Sequence, residues 1–140
     1  MKCKIEKSSI SGEIVCPANK SYTHRAIFLS ALSDGKSIIK KMLYSNDTNA
    51  TISACRAFGV EVDESGDTIT IENSIGSTVQ GSMINAQNSG TTLRIATAIA
   101  ALSGGNTELT GDDSLKNRPM RPILDSLEKL GVTTESDDGK

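Results

Sequence analysis

The chain has 140 residues, 36% of them hydrophobic and 23% charged, which are the proportions of a globular domain or part of one rather than of a disordered or fibrous chain. A net charge of −2, with Lys and Arg scattered among Asp and Glu, argues against a nucleic-acid-binding face, so any anion site must be local. Aromatic residues make up 3% and Trp is absent, leaving the core to Ile, Val, Leu, Ala and Met and leaving no aromatic platform for base stacking.

Met1 to Lys7 lacks the apolar centre of a signal peptide, and no later stretch approaches the ~20 apolar residues of a membrane span, so a cytoplasmic location away from membranes is expected. Cys3, Cys16 and Cys55 have no paired metal spacing and His24 has no companion ligand, which points to a reduced protein without metal or cofactor. Lys4-Ile5-Glu6 and Glu13-Ile14-Val15-Cys16 read as the first strands, and as precursors of the first helix they belong to a different sheet.

Pro17-Ala18-Asn19-Lys20-Ser21-Tyr22-Thr23-His24-Arg25 then lies where a strand hands over to a helix. The free N–H groups and positive dipole end of such a helix start stabilise an anion before any side chain contributes. Lys20, Ser21 and Arg25 add two charges and a hydroxyl, with Ser21 and Arg25 four apart on one helix face. The plainer alternative is that Asn19 or Ser21 caps the helix while Arg25 meets a surface carboxylate. Ala26, Ile27, Leu29 and Ser30-Ala31-Leu32 give this helix its apolar face, and Gly35 follows its end.

Gly35-Lys36-Ser37 resembles the end of a P-loop, but Ser30 stands where that motif needs its first glycine, and a helix rather than a strand precedes it. Ser37-Ile38-Ile39 reads as a strand. Ser45-Asn46-Asp47 opens a second helix through Ile52, Cys55 and Phe58 to Gly59. Val60-Glu61-Val62 and Thr68-Ile69-Thr70-Ile71 alternate about Ser65-Gly66-Asp67 as a hairpin.

The pattern then repeats about 70 residues later. Asn88-Ser89-Gly90, Arg94, Ala101-Leu102-Ser103 and Gly105 restate Asn19-Lys20-Ser21, Arg25, Ala31-Leu32-Ser33 and Gly35. Asn88-Ser89-Gly90-Thr91-Thr92-Leu93-Arg94 is again a helix start with an arginine in its first turns, and Gly90 permits close approach to the backbone. Ile95, Ala98, Ile99, Ala101 and Leu102 form the expected buried face, and Asn106-Thr107-Glu108-Leu109 the next strand. In Lys116-Asn117-Arg118-Pro119-Met120-Arg121-Pro122 the prolines predict a rigid loop that fixes the Arg118 guanidinium, or else one that merely starts the helix from Arg121 to Leu130. After Gly131 only the first half of a hairpin follows, with Lys140 in register with Thr68; this predicts a truncated chain with an incomplete second unit. The fold class is therefore α/β, with repeated helix-strand-helix-hairpin units on mixed sheets and parallel strands flanking each first helix.

These three motifs, in this order, resemble those of the 3-phosphoshikimate 1-carboxyvinyltransferase (5-enolpyruvylshikimate-3-phosphate synthase) family. The family's Pro-Gly-Ser-Lys-Ser followed by His or Asn and Arg is matched at Lys20, Ser21, His24 and Arg25, with Ala18 and Asn19 in place of Gly and Ser. Its Gly-Asn-Ser/Ala-Gly-Thr followed by Arg is matched at Asn88, Gly90, Thr91 and Arg94, with Gln87 replacing the leading Gly, and its Arg-Pro-Met-x-Pro stretch begins here at Arg118.

The resemblance implies an inside-out α/β barrel enzyme that acts as a monomer without a cofactor and moves the enolpyruvyl group of phosphoenolpyruvate to shikimate 3-phosphate. It implies that Lys20 contacts both substrates, that Ser21 and Arg25 bind shikimate 3-phosphate, and that Asn88, Gly90, Thr91, Arg94 and Arg118 complete the substrate-binding set, with Gly90 and Arg118 against phosphoenolpyruvate. Residues 1–16 would belong to one lobe and 17–140 to the other, with the catalytic carboxylates downstream of Lys140. The alternatives are a non-catalytic anion-binding domain and the related UDP-N-acetylglucosamine enolpyruvyl transferases, which have Lys-Asn where this chain has Lys20-Ser21 and lack the His24-Arg25 pair.

Overall fold

The structure is a computed structural model that describes residues 3–72, 75 and 82–140. Its elements in chain order are α1 (Lys20–Leu32), β1 (Ser37–Lys40), α2 (Asn46–Ala57), β2 (Glu61–Ser65), β3 (Thr68–Glu72), β4 (Met83–Asn85), α3 (Gly90–Ala100), β5 (Glu108–Thr110), α4 (Asp113–Lys116) and α5 (Arg121–Lys129). The first unit thus runs helix, strand, helix, hairpin, and the second repeats helix, strand, helix, as the internal similarity predicts.

Two sheets of different character support the helices. β1, β3 and β2 form an antiparallel sheet in that order. Ser65 lies opposite Thr68 across the hairpin, and Gly66 turns the chain between them at φ +60°, a conformation costly to residues with a Cβ. β4 and β5 pair in parallel with Ile84 opposite Leu109, and α3 is the crossover between them, which gives the parallel flanking strands expected of a βαβ unit. The described residues form no closed barrel.

One core runs through both units. Ile27, Phe28 and Ala31 of α1 pack with Ile52, Ala54, Cys55 and Phe58, with Ile69 and Ile71 of β3, and with Ile84, Ala96 and Ile99 of the second unit. Burial pushes the Cys55 thiol up to about 12, so it behaves as a small apolar side chain. A second cluster of Ala86, Leu93, Leu115, Met120 and Leu124 lies beneath α3, α4 and α5.

Several expectations are corrected. The buried stripe of α1 is Thr23, His24, Ile27, Phe28 and Ala31, whereas Leu29 and Leu32 are exposed. In α3 it is Thr92, Leu93, Ala96, Thr97 and Ile99, while Leu102 is exposed. Polar members complete each stripe, and their burial is tolerated because they find hydrogen bonds inside. Lys4–Glu6 and Glu13–Cys16 form no strand, and Ile5, Ile14 and Val15 stand exposed, because no described strand lies alongside to satisfy their backbone groups. Residues 132–136 are likewise irregular rather than half a hairpin. The loop before Pro119 contains a helical turn, α4, which Asp112 caps by accepting the Leu115 N–H at 2.8 Å. Among the described residues no helix is long and apolar enough to cross a membrane.

Candidate functional site

Three helices present their first turns to one place. Asn19 caps α1 by accepting the Tyr22 N–H at 3.0 Å. A reciprocal Ser45–Thr48 capping box starts α2, and Ser89 caps α3 by accepting the Thr92 N–H at 3.1 Å. Each cap satisfies one orphan donor and leaves others facing outward at the positive end of the helix dipole. Lys20 from α1, Asp47 from α2, and Gly90 and Thr91 from α3 line a single open cleft of about 380 Å³ together with Asn88, Arg94 and Arg118.

The cations are held in unlike ways. Arg94 donates to the carbonyls of Gly90 at 3.2 Å and Pro119 at 3.1 Å. Arg118 donates to Asn88 Oδ1 at 2.8 Å, and the Asn88 amide in turn donates to Asp112 at 2.6 Å. That amide bond, helped by the Leu115 N–H, holds the Asp112 carboxyl below its ordinary value. Both guanidinium groups therefore rest on neutral oxygens and keep their charge for a ligand. Lys20 alone pairs with a carboxylate, Asp47, at 2.6 Å.

Gly90 shows how tightly the arginines converge. A Cβ built there would stand 2.9 Å from one Arg118 nitrogen and 3.0 Å from one Arg94 nitrogen, so a larger residue would push both guanidinium tips aside. Gln87 takes a left-handed φ of 52°, which explains why a glycine suits this position in the related motif and why Gln is accommodated at a cost of about 1 kcal/mol.

Of the residues expected from sequence, Lys20, Asn88, Gly90, Thr91, Arg94 and Arg118 meet in the cleft. Ser21 and Arg25 do not line it; both are exposed on α1 and engage no partner among the described residues. Asp47 and Asp112 went unrecognised. Asp47 was legible only as part of a helix-capping segment, and a carboxylate is a poor guess in an anion site.

Behind the cleft runs a buried chain of polar groups. His24 Nδ1 lies 2.6 Å from Thr51 Oγ1, which lies 2.7 Å from Thr92 Oγ1, which lies 2.7 Å from Ser89 Oγ. His24 is 1% exposed and its Nε2 has no partner among the described residues. Desolvation lowers its pKa; Asp47 opposes this and Lys20 adds to it. The folded state holds a neutral imidazole, so below the unfolded value near 6.5 the unfolded chain binds more protons and stability falls as pH falls. The unfolding free energy read from urea titrations is expected to drop between about pH 7 and about pH 5.5 with a slope of at most ~1.4 kcal/mol per pH unit, and H24Q should flatten it. A slope unchanged in H24Q would remove His24 as the cause.

Lys20 at the start of α1, Arg94 in the second turn of α3 and Arg118 between α4 and α5 gather positive charge in one cleft, an arrangement whose chemistry suits a small anion. Comparison with known proteins narrows the class. The family model described as EPSP synthase (3-phosphoshikimate 1-carboxyvinyltransferase) matches residues 5–140. The 3-phosphoshikimate 1-carboxyvinyltransferase of Nitrosopumilus maritimus is 51% identical over 100% of this chain and 33% of its own length. That of Methanocorpusculum labreanum is 45% identical over 99% of this chain and 33% of its own. The solved EPSP synthase from Acinetobacter baumannii superposes with a TM-score of 0.81 at 28% identity, covering 92% of this chain and 30% of that one. The chain belongs to the EPSP synthase family, and it spans about a third of the length of the curated relatives it matches.

Proposed function

We propose that this chain forms the substrate-anion portion of an enzyme that moves the enolpyruvyl group of phosphoenolpyruvate to the 5-hydroxyl of shikimate 3-phosphate and releases phosphate, in the shikimate pathway to chorismate and aromatic amino acids. The observation that carries this reading is the meeting of Lys20, Arg94 and Arg118, from three separate sequence motifs, in one cleft. Each substrate bears a phosphate and a carboxylate. Bringing the two together costs Coulombic repulsion that several fixed cations offset.

In this reading Arg118, Arg94, Asn88, Thr91 and the exposed backbone at Gly90 hold phosphoenolpyruvate. Lys20 reaches both substrates, and Ser21 with its hydroxyl and Arg25 with its charge, both exposed on α1, bind shikimate 3-phosphate. Addition of the 5-hydroxyl to C2 of phosphoenolpyruvate as a proton reaches its methylene carbon, then loss of phosphate from C2 as that carbon gives up a proton, need a general acid and base. Those groups are assigned to the part of the enzyme that follows Lys140, residues 1–16 to its other lobe, and the whole to a cytoplasmic monomer without metal or cofactor.

The test is to incubate the full-length gene product with both substrates and measure inorganic phosphate. Release that requires both is expected. Anion binding without phosphate release would instead favour a non-catalytic binding domain, and turnover only with UDP-N-acetylglucosamine as acceptor would move the chain to the related transferases.

A further inference from the structure

Among the described residues Asp47 is the one acidic side chain lining the cationic cleft, and its charge works against anion capture there. If the cleft only gathered positive potential, a carboxylate inside it would weaken every anionic ligand. Its presence there calls for another role, and the geometry supplies one. Asp47 lies in the first turn of α2, where the Ser45–Thr48 capping box fixes the helix start. Its backbone carbonyl accepts hydrogen bonds from Thr51 and Thr92, each at 3.3 Å, and both threonines are fully buried. The residue is thus anchored from both repeat units at once.

The carboxylate of this anchored residue meets Lys20 Nζ at 2.6 Å, and it is the less exposed partner, with 26% of its side chain accessible against 51% for Lys20. The two arginines need no such help, since neutral oxygens already fix their planar groups. A lysine is different. Its ammonium rides on a flexible four-carbon stem and loses rotamer entropy when held in one place. One of its three donors goes to Asp47 and two remain for a ligand.

We infer that Asp47 is a positioning residue, which holds the Lys20 ammonium at the cleft so that an anionic substrate meets a cation already in place. This inference rests on the substrate reading given above for its catalytic consequence, but not for the contact itself. A purely structural alternative is that Asp47 only favours the positive end of the α2 dipole.

The test uses the full-length gene product with D47N, D47A and D47E. The first readout is the rate at which an amine-reactive ester modifies Lys20, followed by peptide mass spectrometry with Lys36 as internal reference. Positioning by Asp47 predicts a several-fold faster rate at Lys20 in D47N and D47A, partial return in D47E, and no change at Lys36. An unchanged Lys20 rate in all three overturns the inference, whatever the enzyme does with substrate. The second readout is a cycle of D47A, K20A and the double variant on kcat/KM for phosphate release. Positioning predicts that D47A costs activity in the presence of Lys20 and little once Lys20 is gone. Equal losses in both backgrounds, accompanied by a lower melting temperature, would assign Asp47 to the helix dipole. Absence of turnover in the unsubstituted protein would sink the substrate reading alone and leave the labelling result to decide this one.

Discussion

Arg118→Ala is expected to lower kcat/KM for phosphate release about a hundredfold while barely moving the melting temperature. The side chain is partly exposed and makes one hydrogen bond, to Asn88 Oδ1 at 2.8 Å, so its removal leaves no buried partner stranded. The consequence falls on the ligand. A hydrogen bond between charged groups contributes about 1.5–3 kcal/mol, and 2.7 kcal/mol corresponds to about a hundredfold. Arg118→Lys should recover only part of the loss, since it restores the charge but not the planar fork that grips two oxygens. Steady-state kinetics with phosphoenolpyruvate as the varied substrate would check this, and a change of less than about twofold would remove Arg118 from the site.

Gly111→Ala should act in the opposite manner, on folding first. A Cβ there would fall 2.4 Å from Leu115 Cδ2 and 2.6 Å from the Gln87 carbonyl oxygen. Neither can retreat easily. Leu115 is 1% exposed within the second core cluster, and the Gln87 carbonyl accepts the Asp112 N–H at 2.8 Å. Overpacking of this kind costs about 3 kcal/mol, which for a domain of this size lowers the melting temperature by roughly 10 °C. The strain is passed to the site as well, because Gln87 and Asp112 flank the Asn88 that aims Arg118. Thermal unfolding followed by circular dichroism would reveal the loss, and an unchanged midpoint would mean that the two connections yield more freely than their contacts imply.

Much of this architecture was legible in the sequence, for reasons that differ by element. The start of α2 could be read because Ser45 carries its own cap, and the hairpin because Gly66 stands between two alternating runs. The cleft could be read because its cations lie in recurring turn-and-helix contexts, so that Lys20, Asn88, Gly90, Thr91, Arg94 and Arg118 could be grouped before any coordinates existed. What resisted reading was whatever depends on a partner distant in sequence. Thr51 and Thr92 look like ordinary polar helix residues until their hydroxyls are seen 2.7 Å apart. His24 has no visible companion until Thr51 appears beside it. Asp47 becomes a site residue only once α1 brings Lys20 alongside. The segments at Lys4–Glu6 and Glu13–Cys16 carry strand-like composition, yet composition cannot supply a neighbouring strand.

The hydroxyl pair Thr51–Thr92 has a bearing on how this chain can change over generations. It joins the two copies of a duplicated unit through directional bonds rather than through oily surface, and it does so with one residue from each copy. An apolar seam tolerates piecemeal exchange of similar volumes, but this seam is less forgiving, because removing either hydroxyl breaks the buried polar chain that runs from His24 to Ser89. The copies are therefore no longer interchangeable modules. Swapping a single unit in from a relative should succeed more readily when the incoming unit carries a hydroxyl at the position of the threonine it replaces.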